Sequence, residues 1–386
     1  MALKDSSPEK WVYKEHTRIK HNILMNYLSP WMVKLGKYYR HIIFVDGFAG
    51  RGEYFDENGK LLAVGSPIKA LQVANSLLEK AKEKNRPPYF DNFTCICLEK
   101  DTDNYKNLKE VLSREYEKLK FKNSLDYILK NDEFALAAED IIRKIKYELA
   151  PSFFFIDPFG FSGVPFKLIK EILSLPRTEV FFNLMTRDIN RFLNLESNRE
   201  NLRSLYSNMK WKDICSALYG QERDVALKNL FIENLYSEGK SKYVSSFRMC
   251  MNERYQTLYY LIHATNHFDG FKIMKDIMFK QSSFGNYEYS GPYDAKRKGQ
   301  ISLFDLSGAD YVDTNRLEKI LIDRYKNKYV KWEQILKDIY KDTEYIETHI
   351  RKAVNNLIKK GLAFVEKNTE NKKVGKIGPG DMVKFL

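Results

Sequence analysis

Four short groups of residues have the types and spacing to do chemistry. The first, Asp46-Gly47-Phe48-Ala49-Gly50-Arg51-Gly52, follows the apolar run Ile42–Val45. Its glycines would let a backbone loop approach a nucleotide-like ligand closely. A tight turn with an N-capping Asp46 reads the same way. The group is not G-x-G-x-x-G, which argues against pyrophosphate binding. Glu99 ends a second apolar run, Phe93–Leu98, where a carboxylate can accept hydrogen bonds from both ribose hydroxyls. A solvated Glu between Leu98 and Lys100 is the plainer reading. Asp132 follows a weaker run, Ser124–Leu129, and suits either an adenine amino group or an Asn-Asp turn. Asp157-Pro158-Phe159-Gly160 follows Phe153–Ile156 and is either a strand-ending turn or a carboxylate beside an aromatic. Lys20-His21, on the first helical stretch, could reach the same pocket or simply face solvent. No His/Cys/Asp group has metal-ligand spacing, and no Ser-His-Asp arrangement is present.

These groups need elements to hold them at strand tips. Apolar β-rich runs at Ile42–Val45, Phe93–Leu98, Ser124–Leu129, Phe153–Ile156 and Val180–Leu184 alternate with helical patterns at Pro67–Lys80, Tyr105–Leu119, Phe134–Leu149 and Pro165–Leu173. That alternation predicts an α/β fold with a parallel sheet covered on both faces. Ligands of such sheets bind beyond the carboxyl ends of the strands, where all four groups fall. The stretch Trp11–Trp31 predicts a helix that Ser29-Pro30 interrupts or kinks. A helical insertion at about 195–240 precedes two β-like runs, Tyr243–Met251 and Gln256–Ala264, which predict a closing antiparallel hairpin. Residues 283–312 read as a linker rich in Ser, Gly and Asn. From 313 to 386, three helical patterns and two short β-like pieces predict a winged-helix domain with a net charge of about +6. The domains expected are therefore 1–282, a linker, and 313–386.

The 386 residues carry a formal charge of +13, with 44% hydrophobic and 30% charged residues. This balance describes a globular chain whose excess charge favours a polyanionic partner, nucleic acid first. The polar start Met1–Lys10 has no secretory h-region, and no apolar run reaches membrane-spanning length. Four cysteines, Cys95, Cys97, Cys215 and Cys250, suggest neither a disulfide framework nor a metal pattern. Core thiols in a reducing, cytoplasmic compartment are the expectation.

Five parallel strands followed by an antiparallel hairpin resemble the Rossmann-like class I methyltransferase fold. The form Asp-x-Phe-Ala-Gly-x-Gly is similar to the first motif of S-adenosylmethionine-dependent methyltransferases, whose loop wraps the cofactor's amino-acid end. The resemblance implies S-adenosylmethionine as cofactor, with Asp46, Phe48, Ala49, Gly50, Gly52, Glu99, Asp132, Lys20 and His21 around it. Asp157-Pro158-Phe159-Gly160 resembles the loop of amino-methyltransferases that holds an exocyclic amine, the version in tRNA guanine-N2 methyltransferases in particular. It implies catalytic roles for Asp157, Pro158 and Phe159. Since Gly160 stands at the aromatic position, Phe159 or Phe161 would have to stack on the base. Gln300-Ile301-Ser302-Leu303-Phe304 is similar to the pentapeptide that binds the bacterial sliding clamp. There Gln300, Leu303 and Phe304 would make the contacts.

Taken together, Lys20-His21, Tyr27-Leu28, Trp31, Val45-Asp46-Gly47-Phe48-Ala49-Gly50, Gly65-Ser66-Pro67, Ile156-Asp157-Pro158-Phe159-Gly160, Asn183, Asn190-Arg191-Phe192 and Ala264-Thr265-Asn266-His267 resemble the three-Cys-motif partner protein family (TcmP). This resemblance covers roughly residues 15 to 280. It implies a methyltransferase-like domain, often with a C-terminal winged helix, and a partner that is a radical-SAM-like protein with a three-cysteine motif. Arg51 departs from the Pro usual there. The function expected is a nucleic-acid-directed N-methyltransferase that acts on an exocyclic amine, on DNA sooner than RNA. The alternative is a non-catalytic accessory protein of DNA repair or phage defence that binds nucleic acid, the sliding clamp and the radical-SAM-like partner.

Overall fold

The computed structural model describes residues 10–192, 196–250, 256–283, 285–290, 313–368 and 377–386. In order, the elements are α1 (Glu15–Gly36), β1 (His41–Asp46), β2 (Glu53–Phe55), β3 (Leu61–Val64), α2 (Ser66–Glu83), β4 (Asn92–Leu98), α3 (Thr102–Tyr116), β5 (Leu125–Lys130), α4 (Phe134–Glu148), β6 (Ser152–Ile156), α5 (Phe166–Ser174) and β7 (Thr178–Leu184). Then come α6 (Thr186–Phe192), α7 (Ser197–Tyr206), α8 (Lys210–Ala217), α9 (Gly220–Ser237), β8 (Tyr243–Cys250), β9 (Thr257–Thr265), α10 (Phe268–Gln281) and β10 (Glu288–Tyr289). The last are α11 (Thr314–Tyr325), β11 (Tyr329–Lys331), α12 (Trp332–Asp342), α13 (Glu347–Lys359), β12 (Ala363–Glu366) and β13 (Met382–Phe385).

Strands β6 and β7 are buried at every residue, as strands must be when helices cover both faces of the sheet. The sheet runs β5-β4-β1-β6-β7-β9-β8, with β10 at the far edge. Strands β1, β4, β5, β6 and β7 are mutually parallel, and β9 lies antiparallel between β7 and β8. This is the Rossmann-like class I methyltransferase arrangement, closing hairpin included. The chain leaves β1 toward β4 on one side and β6 lies on the other, so the sheet reverses winding between β1 and β6. Crevices open at such reversals, at the carboxyl ends of the strands. Asp46 and Asp157 stand at those two ends.

Two expectations change. Trp11 is not helical: α1 begins at Glu15, and Val12 bridges to Phe55 instead. Pro30 does not interrupt α1, which runs on to Gly36. Trp31 and Met32 are buried just past the proline, so packing holds the helix through the lost hydrogen bond. Cys95 and Cys97 are core thiols on one face of β4, their sulfurs 3.5 Å apart. The insertion expected at about 195–240 is helical, made of α7, α8 and α9.

The described residues fall into two compact units, one running to Ile277 and taking in Tyr289, the other comprising Met278–Glu288 and the described residues from Asp313 on. The second contains α11, α12 and α13 and an antiparallel sheet in the order β11-β13-β12. Leu317, Trp332, Ile335, Ile350, Val354 and Phe385 form its interior. The clamp-like residues Gln300, Leu303 and Phe304 lie outside the described residues, as does most of the expected linker.

Candidate functional site

The turn after β1 is shaped from within. Asp46 is fully buried; its carboxylate accepts from Ser66 Oγ at 2.6 Å and from the Phe48 amide at 3.2 Å. Burial pushes its carboxyl up to about 7, against the pull of those two donors. Asp46 therefore holds the loop from below. Ala49 is buried too, and its amide donates to the Leu98 carbonyl. Gly50 and Gly52 have φ of +65° and +83°, the left-handed region that favours glycine.

Gly50 meets Glu99 directly: its amide donates to Glu99 Oε2 at 2.8 Å, while the Asp101 amide donates to Oε1 at 2.8 Å. Asn131 fixes the other side of this turn, donating to the Glu99 carbonyl at 2.8 Å. Burial raises the Glu99 carboxyl above its ordinary range, and the amide donors partly offset that. Two backbone donors and the Asn104 side chain still leave a carboxylate with acceptor capacity to spare. Gly47, Phe48, Glu99, Asp132, Phe159 and Gly163 line one cavity of about 120 Å³. Asp132 is half-buried at its wall and accepts from the Glu133 amide.

The fourth group stands beside this cavity. Asp157 is ion-paired with Lys20 of α1, and Asn183 Nδ2 donates to Asp157 Oδ1 at 2.6 Å. Since a carboxylate only accepts, the amide is oriented with Oδ1 away from Asp157; that atom is buried and has no donor among the described residues. Lys20 Nζ also lies 5.5 Å from the centre of the Tyr259 ring. Pro158 is buried, whereas Phe159 is 72% exposed and Phe161 only 7%. The ring available for stacking is therefore Phe159. His21 does not reach the cavity: it is buried between Tyr13 and Tyr54, and burial lowers its pKa well below the usual value.

Nothing in the sequence patterns singles out Trp11. Its ring packs on Gly50, where a Cβ would come within 2.6 Å of it, and meets Phe159 edge-on at 5.3 Å. Residues 11–13 are strapped to Phe55 by two backbone hydrogen bonds, 2.7 and 2.8 Å long. Small-molecule sites occupy roughly 300–1,000 Å³, more than the cavity beside Glu99 offers, and the Trp11 ring fills the space over Gly50. Tyr259 also escapes the motifs, because it projects from a strand interior with no distinguishing neighbours, whereas Asn183 entered only through the family resemblance and not with a role.

No family model matches the chain, and no curated protein matches it. Among solved structures, it is similar to an O-methyltransferase from Bacillus cereus in complex with SAH, at 13% identity and TM-score 0.31, over 63% of this chain and 80% of that one. It is similar to the O-methyltransferase TomG from Streptomyces achromogenes, involved in tomaymycin synthesis and in complex with SAM, at 11% identity and TM-score 0.33, with the same coverage of 63% and 80%. It is also similar to the methyltransferase domain of bacterial CtHen1, at 9% identity and TM-score 0.30, over 63% of this chain and all of that one. The strand order of the sheet, rather than these distant likenesses, places the chain in the class I methyltransferase fold.

Proposed function

We propose that the protein is an S-adenosylmethionine-dependent N-methyltransferase acting on an exocyclic amine in nucleic acid, DNA sooner than RNA. The observation that carries this reading is the contact of Gly50 with Glu99 beyond the tips of β1 and β4, with Asp157 at the tip of β6, the other neighbour of β1. A buried carboxylate with spare acceptor capacity beside two left-handed glycines suits a ribose and the tail of a nucleoside ligand. When bound, S-adenosylmethionine supplies an electrophilic methyl group on a sulfonium. Asp157 and a backbone carbonyl of its loop would accept the two hydrogens of an amine, which turns the nitrogen lone pair outward. Lys20 compensates the Asp157 charge, and Phe159 presents a flat face for the base. Catalysis on this scheme is chiefly positioning.

Two features support a nucleic-acid substrate. The chain carries +13, and three helices with a small antiparallel sheet fit a winged helix. On α13, Lys352, Asn355 and Lys359 are exposed at i, i+3 and i+7, one stripe of the helix. A duplex target would have to be flipped out of its stack. The decisive experiment is calorimetric titration with S-adenosylmethionine, followed by transfer of a labelled methyl group to single-stranded DNA, duplex DNA and tRNA. Absence of binding at millimolar ligand refutes the enzymatic reading.

The Trp11 ring over Gly50 favours a second reading, an accessory protein that binds nucleic acid without methyl transfer. In that role Gln300, Leu303 and Phe304 would engage the sliding clamp, and the radical-SAM-like protein would be the working partner. DNA binding and clamp capture without cofactor binding would select it. Equal clamp capture by wild type and by Leu303→Ala/Phe304→Ala would remove the clamp from it.

A further inference from the structure

A second cavity, of about 470 Å³, lies at the opposite end of the sheet. Arg177 immediately precedes β7 and Glu179 is its second residue, while Tyr39 lies just before β1. These are the amino ends of β7 and β1, and the carboxyl end of β1 carries Asp46. The floor of the cavity is a carboxylate with one oxygen occupied and one free. Tyr27 donates its hydroxyl to Glu179 Oε2, and His263 Nε2 lies 2.8 Å from the same oxygen. Glu179 is 4% exposed, and among the described residues nothing donates to its Oε1.

Gly270 keeps room beside that oxygen. A Cβ there would stand 2.9 Å from Oε1 and 2.8 Å from the Tyr27 hydroxyl. Trp31 and Tyr39 supply aromatic walls, with the Arg177 guanidinium 4.5 Å from the Tyr39 ring centre. Arg177 Nε and Trp31 Nε1 have no acceptor among the described residues. Lys37 adds an exposed positive charge at the rim, whereas Lys34 is already paired with Asp269 at 2.6 Å.

An acceptor at the floor, flat walls and cations at the rim fit a planar ring that carries an N–H donor at one end and an anion at the other. We propose that this cavity is a ligand site separate from the crevice, for a nucleotide whose base bears an amino group, adenosine 5′-monophosphate being the simplest. The amino group would donate to Glu179 Oε1, the base would lie against the aromatic walls, and the phosphate would meet Arg177 and Lys37. The volume is in the range of small-molecule sites.

The test is calorimetry on the full-length protein with three probes: AMP, purine riboside 5′-monophosphate, which lacks the amino group, and adenosine, which lacks the phosphate. AMP should bind with one-to-one stoichiometry, and each truncated probe about tenfold more weakly. Gly270→Ala, its fold checked by circular dichroism, should weaken AMP at least about tenfold by filling the floor, with S-adenosylhomocysteine affinity unchanged. Should that variant fail to fold, Lys37→Gln/Arg177→Gln at the rim should weaken AMP but not adenosine. No saturable AMP binding at millimolar concentration, displacement of AMP by S-adenosylhomocysteine, or equal affinity in wild type and folded variants would each overturn the proposal. Because displacement is read separately, failure here is distinguishable from failure of the methyltransferase reading.

Discussion

Lys20 of α1 and Asp157 at the tip of β6, 137 positions apart in the chain, form an ion pair that Asn183 extends through a 2.6 Å hydrogen bond to the same carboxylate. The pair is largely shielded from water, with the side chains 10% and 20% exposed. Breaking such a pair from one side leaves a poorly solvated charge behind. Lys20→Met should therefore destabilise the protein by about 3 kcal/mol, and Lys20→Met/Asp157→Leu should recover most of that loss. Urea denaturation of the two variants checks this, and equal loss in both would show that the ion pair is not the cause.

Glu99→Gln keeps the shape and one acceptor oxygen but removes the charge. Hydrogen bonds to charged groups contribute about 1.5–3 kcal/mol, so S-adenosylhomocysteine affinity should fall about 10- to 100-fold. Calorimetry gives the number, and an unchanged dissociation constant would place the ribose elsewhere.

Phe159 touches little besides Trp11, so Phe159→Ala should change stability by no more than about 0.5 kcal/mol. Methyl transfer to a nucleic acid should nevertheless drop, with cofactor affinity preserved. Thermal melts and a labelled-methyl assay separate the two effects; intact transfer would exclude Phe159 as the stacking ring.

Burial holds the Asp46 carboxyl near 7 in the folded chain against 3.8 for an ordinary aspartate. The folded state thus binds this proton more tightly than the unfolded state. Its stabilising contribution is full below about pH 4 and is lost as the pH rises through about 7. Asp46→Asn removes that dependence, so the stability of the variant relative to wild type should increase across this window. Denaturant titrations at several pH values test the sign.

Lys352→Gln/Lys359→Gln on α13 should weaken DNA binding at low salt. If both lysines contact phosphates, the slope of log affinity against log salt should become shallower by about 2. A slope identical to wild type would move the nucleic-acid surface away from this helix.

Most of the fold is legible in the sequence because its strands are short apolar runs capped by glycine, Asp or Pro, and its helices carry clear apolar stripes. Glu99 and Gly50 could be paired in advance, since strand tips in such a sheet have to converge. Other residues could not be read this way. Trp11 looked helical because aromatic and charged residues precede α1 without a break, and only tertiary pairing with Phe55 pulls the segment into an extended strap. Asn183 was picked out by the family resemblance alone, since within Val180–Leu184 nothing local separates a functional amide from a tolerated one. His21 was drawn toward the pocket by its neighbour Lys20, but successive helix residues point about 100° apart, and only Lys20 faces Asp157.

The extended strap has a practical side. Its backbone is pinned to Phe55 while the Trp11 ring rests on Gly50, so trimming the chain past Trp11 would bare that glycine to any ligand.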